Sequence, residues 1–412
     1  MVMKTKDKIG MLVINGCFAV VLIFINTFFI SHIWYETGED FISVALFTII
    51  MALSTVVFWG LNSILITNFL KPIWGLRIAS VVSFLFLAAL GIWQDVFLDL
   101  YLVFAIVWGI IIAVYWSSMN YIVSTRTAAE LKGFVIWKGI VQTIIGLVVP
   151  LTLGIIIDVS SIYATAIVAL CLAIVWMVAS TIITTETPEG KRFRIITCLK
   201  KKRENNFVRP GISLWFVIAL SGFIQAIMLT LPIVTIIAFG NNTGLGMVAS
   251  IASGVVILTL FIYRRISKKI QRRTALFVGI LPVLAAASFI FSLSTVTVTT
   301  FFLTYYITFR IASIEEQSVR LGATKYWGGK EFTMESNYIY ELALIFGRII
   351  SIVVLIVTTV LFDLTPLSLG ILYIVMMAGL FTHMVLLQLW KKKHAGRLEQ
   401  YAPSPKSPQS NL

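Results

Sequence analysis

Four charged residues lie inside or at the ends of long apolar runs of this 412-residue sequence: Lys138, Arg310, Glu341 and Arg348. Charge within an apolar span is costly and usually faces a protein interior or a water-filled cavity. Arg348 is the deepest, about seven residues into the run from Leu342 to Phe362, or roughly 10 Å along a helix axis at 1.5 Å per residue. Glu341 lies two turns before it, so on a helix the two share a face with Tyr338 and Ile345. The chemistry open to such a pair is electrostatic. Arg348 would hold an anionic group of a ligand, or pair with Glu341 in one state and release it in another. The alternative is that its long stem carries the guanidinium to the membrane surface. Phe346 and the surrounding Ile and Val residues offer it few polar partners, which favours the inward reading. Lys138 and Gln142, one turn apart, make a second polar point, for which inward placement and snorkelling both stand. Arg310 is read as snorkelling, because it lies within about four residues of the end of its apolar run. With Lys138 and Arg348 both inward, the field between them favours anions, or amphiphiles with an acidic head.

Other side chains could shape a ligand site without carrying charge. Trp116 and Asn120, in Tyr115-Trp116-Ser117-Ser118-Met119-Asn120-Tyr121, suit a cavity wall in which rings give contact area and an amide gives orientation. They suit an interfacial aromatic belt equally well. Asn26 and Gln225 are deeper amides, for which interhelical hydrogen bonds are the expected use and ligand contact the alternative. Bond-making chemistry has little to work with. His32, His383 and His394 are dispersed, Cys17, Cys171 and Cys198 are scattered, and no paired-Asp or H-E-x-x-H pattern occurs. No catalytic set, metal or cofactor is therefore expected, and no G-x-x-x-x-G-K-[ST] phosphate loop is present. A coupling proton would need a titratable group inside the bilayer, and Glu341 and His383 are the candidates.

The elements that must position these residues follow from composition. Hydrophobic residues make up 59% of the chain and charged residues 12%, with a mean hydropathy of +0.97. A soluble chain would be about a quarter charged, so lipid is the expected solvent. The net charge of +14 does not imply nucleic acid, because Lys and Arg sit mostly at the ends of apolar segments rather than on one face. Each span needs about 20 apolar residues. Twelve segments come close to or exceed that length, approximately 9–31, 42–67, 76–93, 100–121, 134–157, 161–183, 213–239, 244–263, 275–294, 297–314, 338–361 and 366–389. The fold class expected is an all-α polytopic membrane protein with a six-helix bundle over 1–185, a basic cytoplasmic linker over 186–211, a second six-helix bundle over 212–390 and a cytoplasmic tail over 391–412. Lys and Arg in short loops stay on the cytoplasmic side. Placing both termini there leaves no Lys or Arg in any loop of the opposite face, which holds Glu36, Glu39, Asp40, Asp95, Asp99, Asp158 and Asp363 instead. The basic N-terminus reads as the start of an uncleaved first span.

Local motifs then suggest a family. The loop Arg264-Arg265-Ile266-Ser267-Lys268-Lys269-Ile270-Gln271-Arg272-Arg273 resembles the cytoplasmic signature of the major facilitator superfamily, about G-R-L-S-D-R-x-G-R-R. Arg265, Ser267, Lys269, Arg272 and Arg273 fit it in kind, while Lys268 stands where that family has its acid. The matching loop of the first half keeps Gly75 and Arg77. Gly146, Pro150 and Gly154, at intervals of four, resemble a pattern in antiporters of that family, and close helix packing is the alternative. The resemblance implies a 6+6 secondary transporter of the cell membrane that works by alternating access on a small-molecule substrate within the lipid bilayer, expected to act as a monomer. Export of amphiphilic or drug-like compounds is the leading expectation, with uptake or exchange of a small organic anion second. A membrane-embedded lipid-modifying enzyme is a distant third.

Overall fold

The computed structural model describes residues 5–124, 128–184, 192–204, 208–225, 227–265, 268–327, 332–362 and 365–399, and no strand occurs among them. Long runs of Ile, Val, Leu and Phe in lipid have no water to satisfy the backbone, so each must close its own hydrogen bonds, and a helix does this within one segment.

In the first half α1 (Thr5–Ile23) passes through a π-helical turn (Phe24–Phe29) into α2 (Ile30–Glu36). Then come α3 (Phe41–Asn68), α4 (Pro72–Ile92), α5 (Phe97–Ser124), α6 (Ala128–Val159) and α7 (Ile162–Ile182). A short helix, α8 (Ile195–Glu204), stands in the basic central segment. The second half holds α9 (Val208–Gln225), α10 (Ile227–Phe239), α11 (Asn242–Arg265), α12 (Lys268–Ala287), α13 (Thr295–Trp327), α14 (Thr333–Phe362) and α15 (Pro366–Glu399). Local chemistry sets several starts. The Asp40 carboxylate accepts from the N–H groups of Ile42 and Ser43 at 2.9 and 3.0 Å to cap α3. Ser161 caps α7 by accepting from the Ala164 N–H at 3.2 Å. Pro72 opens α4, where its missing N–H costs nothing.

Ten helical stretches among the described residues are long and apolar enough to cross a membrane. The apolar stretch Leu276–Ile290 is shorter, and α13 carries Thr and Tyr residues, Arg310, Glu315 and Glu316. At three places helix extends beyond the expected apolar segments. The segment read as ending near 314 continues as helix to Trp327. The expected linker contains α8 and overlaps the start of α9 at Val208, and the expected tail begins inside α15, which runs to Glu399. In each case charge ended the apolar run but not the helix, because backbone hydrogen bonds continue into water at a helix end.

Within the first half α3 packs on α5, α4 on α5 and α7, and α1 on α6 and α7. Within the second, α14 packs on α9, α12 on α13 and α15, and α11 on α13. The halves meet along two long seams, α6 against α11 and α3 against α14, and where α10 meets α2 and the π-helical turn. The outer surface is apolar, with Leu85, Val178, Leu258, Phe277 and Val360 all exposed, as a bilayer solvent allows.

Candidate functional site

On α14 the stripe Glu341, Ile345, Ile352 and Leu355 is buried, while Phe346, Ile350, Val353 and Val357 on the opposite side are exposed. Arg348 falls on the buried stripe and is half-buried, close to the middle of the helix. Its position is set by a backbone crossing. A Cβ added at Gly222 of α9 would strike the Leu344 carbonyl, and one at Gly347 would strike the Ala219 carbonyl. Without those side chains the two helices touch, as small residues permit in membranes. Gln225, nearly one turn beyond Gly222, then meets Arg348: its Oε1 accepts from the guanidinium Nε at 3.2 Å and from Nη2. The pairing with Glu341, one of the two uses open to Arg348, is not formed in this structure. The two share a face, but two turns separate them by about 10 Å along the axis, and Gln225 offers the nearer acceptor. Glu341 is buried, and its charge and that of Glu316 on α13 still act on Arg348.

A second polar cluster joins three helices of the first half. Asn15 of α1, 2% exposed, donates from Nδ2 to the Tyr115 hydroxyl at 2.9 Å. Its Oδ1 accepts from Gln142 Nε2 of α6 at 3.0 Å. Phe18 stacks on the Tyr115 ring, with centroids 3.6 Å apart. One turn before Gln142, the Lys138 ammonium lies 5.5 Å from the Trp116 ring centroid, a cation–π contact. Lys138 also feels the charge of Arg310 from the other half. Arg310 lies midway along α13, which continues to Trp327; it is exposed, and its charge acts on Lys138, Tyr305 and Tyr306. Near it Phe301, Tyr305 and Tyr373 form a fully buried aromatic cluster, in which Tyr373 and Thr230 share a hydrogen bond of 2.8 Å.

The structure therefore brings Lys138 to Trp116, Gln142 to Asn15 and Arg348 to Gln225. Asn26 lies in the π-helical turn and Asn120 on α5; both are half-buried. Of the motif residues, Gly75 is within α4 rather than a loop, packed against Ser118 and Asn62. Arg77, also in α4, donates to the Ser180 carbonyl at 3.4 Å and lies over Trp74. Arg265 ends α11 and stacks over Phe261 at 4.2 Å. Lys269, Arg272 and Arg273 fall in the first turns of α12, and Ser267 lies outside the described residues. Sequence reasoning passed over Asn15, although it is the one amide in the apolar run from Met11 to Ile25. Among the described residues no group of His, Cys, Asp and Glu is arranged to hold a metal ion.

The clusters lie between two closures. At one end Asp158 of α6 caps the start of α11, accepting from the N–H groups of Asn242 and Thr243 at 3.1 and 2.7 Å. Below it, Gly154 and Pro150 press on Asn242 and Gly246, and Gly146 on Ser253, so the four-residue spacing serves a close helix seam. At the other end Tyr338 of α14 covers Gly60 of α3. The central segment crosses there: the Phe193 N–H donates to Asn68 at 3.3 Å and the Arg194 N–H to Glu335 at 2.8 Å. A cleft of about 500 Å³ between α1 and α7, lined by Ile9, Val13, Val175 and Val178, opens on the apolar outer surface and is separate from this site.

Residues 11–319 match the model of the Major Facilitator Superfamily. No curated protein matches the sequence. Solved structures similar in fold include two of one transporter. A mutant of the nucleoside transporter NupG superposes with a TM-score of 0.68 at 13% identity, over 93% of this chain and 99% of that one. NupG itself gives 0.64 at 11% identity, over 95% and 100%. At these identities the likeness concerns the fold alone.

Proposed function

Since the chain belongs to the Major Facilitator Superfamily of transporters, we propose that it carries organic anions with an aromatic or apolar body across a cell membrane by alternating access. In this reading twelve helices form two six-helix bundles, residues 1–185 and 212–390, with 186–211 joining them and both termini in the cytoplasm. The helices α12 and α13 supply the ninth and tenth spans, and the two bundles rock about the level of Lys138 and Arg348.

The observation that carries the substrate class is the partner of Arg348. A guanidinium on the inner face of α14 is held by a neutral amide, so its charge is not cancelled by direct pairing. Lys138 is held by a ring rather than a carboxylate. In this reading one cation from each half faces the substrate, a field that attracts anions. Trp116 and Tyr306, both half-buried, supply area for a ring or chain. Export of amphiphiles with an acidic head and uptake of a small organic anion place the same demand on this site. The nucleoside carried by the structural neighbours is a planar ring with polar groups, which such walls would also accept.

The test pairs acids with isosteric amides. Purified protein is expected to gain thermal stability from benzoate and longer aryl carboxylates but not from benzamide, and Arg348→Gln is expected to lose the response. Equal stabilisation by acid and amide, or an unchanged response in Arg348→Gln, would refute the anion reading.

A further inference from the structure

We propose that the cleft between α1 and α7 holds one acyl chain of an anionic phospholipid whose phosphate is bound by Lys6; this goes beyond the transport reading and is independent of it. The two helices meet at small residues. Gly10 of α1 is buried against α7, where a Cβ added to it would lie 2.8 Å from the Ile183 side chain and 3.5 Å from the Ala179 carbonyl oxygen. Asp7, 5% exposed, ties the same two ends together, accepting from the Thr184 N–H at 3.2 Å and from its hydroxyl at 3.4 Å. Ile9 and Val13 of α1 and Ile174, Val178 and Ile182 of α7 line the space left beside this contact, about 500 Å³. Among the described residues that line it, Lys6 alone is charged, and it is exposed.

Position and size select the occupant. Lys6 opens the apolar span of α1 and Ile182 closes that of α7, so the mouth of the cleft lies at one bilayer boundary. From there it runs from Lys6 to Val13 on α1 and from Ile182 to Ile174 on α7, about 10–12 Å along the helix axes. That is less than half of the roughly 30 Å hydrocarbon core, so the cleft stays within one leaflet. A helix of a second copy is about 10 Å across and would fill about 800–900 Å³ over that length, so it could rest on the cleft but not enter it. A single alkyl chain enters it, and its apolar surface meets apolar walls. The head of a lipid seated in this way comes to the boundary beside Lys6. An ammonium binds phosphate as a point charge. Asp7, the neighbouring carboxylate, is engaged by Thr184 and does not line the cleft. A zwitterionic head brings its own cation to the same boundary and gains less there, so the site selects an anionic head.

Native mass spectrometry of the full-length protein, released from detergent with phosphatidylglycerol or phosphatidylcholine of the same acyl chains, counts both bound lipids and copies of the chain. One phosphatidylglycerol is expected to be retained, with an affinity about fivefold above that for phosphatidylcholine, the factor that one basic residue contributes near an anionic lipid surface. Lys6→Gln is expected to remove this preference and Lys6→Arg to keep it. Val178→Trp fills the cleft from a position that is 60% exposed, and it is expected to lose the retained lipid of either kind while the protein still folds. Equal retention of the two lipids by the parent would overturn the choice of head group. An undiminished preference in Lys6→Gln or in Val178→Trp would put the lipid elsewhere and overturn the site. A lipid-free dimer would show that a second copy covers the cleft instead, which also overturns the proposal.

Discussion

Gly347 of α14 sits so close to Ala219 of α9 that a single added methyl would strike the Ala219 carbonyl oxygen. The crossing is reciprocal, since Gly222 meets the Leu344 carbonyl in the same way. Glycine is needed here for proximity rather than for backbone angle. The contact holds α9 and α14 at the separation at which Gln225 reaches Arg348.

Gly347→Ala is accordingly expected to force the helices apart or strain the crossing, at an overpacking cost of about 1–3 kcal/mol. Thermal unfolding in detergent gives the readout. Gly139→Ala is the control, because a Cβ at Gly139 meets nothing within 4 Å. It should be neutral, or stabilising by up to about 1 kcal/mol through helix propensity. Equal melting temperatures for the two variants would show that the crossing is not tight.

Gln225 gives a second prediction. Gln225→Leu removes the acceptor of both guanidinium hydrogen bonds and should cost about 1.5–3 kcal/mol, the range for a hydrogen bond to a charged group. Gln225→Glu keeps the geometry but supplies a counter-charge. It is expected to preserve stability while abolishing stabilisation by benzoate, since the variant's own carboxylate would occupy Arg348. A full benzoate response in Gln225→Glu would mean that anions do not meet this guanidinium.

Much of this arrangement was legible in the sequence, for physical reasons. Apolar runs must become helices in lipid, and the spacing of Glu341, Ile345 and Arg348 placed Arg348 on the stripe that is buried. The same spacing gave no information on its partner. Gln225 is 123 positions away, and only the glycine crossing makes it nearer than Glu341. Counting apolar residues also stopped the tenth segment well before the end of its helix, because the residues beyond Arg310 are charged and polar. The helix continues to Trp327, and this places Arg310 near its middle and Glu316 inside the second half. Gly146, Pro150 and Gly154 showed their interval but not their role, which depends on the glycine and serines of α11 that oppose them.

Asn15 carries the third prediction. It bridges Tyr115 and Gln142, so Asn15→Ala leaves the buried Tyr115 hydroxyl and the half-buried Gln142 amide without their partner and should cost about 1–3 kcal/mol. The effects are expected to be non-additive: Gln142→Leu should be less damaging in the Asn15→Ala background than in the parent, because the shared bond is already lost. A strictly additive double variant, measured by thermal unfolding, would show that the bridge is not energetically significant.

Asp158 gives the last. Its carboxylate accepts from two backbone N–H groups at the start of α11 and from the Asn242 side chain at 3.0 Å, joining the C-terminal end of α6 to the N-terminal end of a helix in the other half. Loss of a cap of this kind costs about 0.5–2 kcal/mol, and the negative charge at a helix N-terminus adds to it. Any motion that parts α6 from α11 at this end must break these bonds, so removing them lowers the cost of opening. Asp158→Ala should therefore raise the rate at which maleimide labels Ser250→Cys, a position buried in the seam about two turns below Asn242. Asp158→Asn retains one acceptor oxygen and should fall between the parent and Asp158→Ala. The labelling background is manageable, since Cys17 and Cys198 are buried and the exposed Cys171 can be replaced by Ala. A labelling rate unchanged by Asp158→Ala would show that this cap does not hold the end closed.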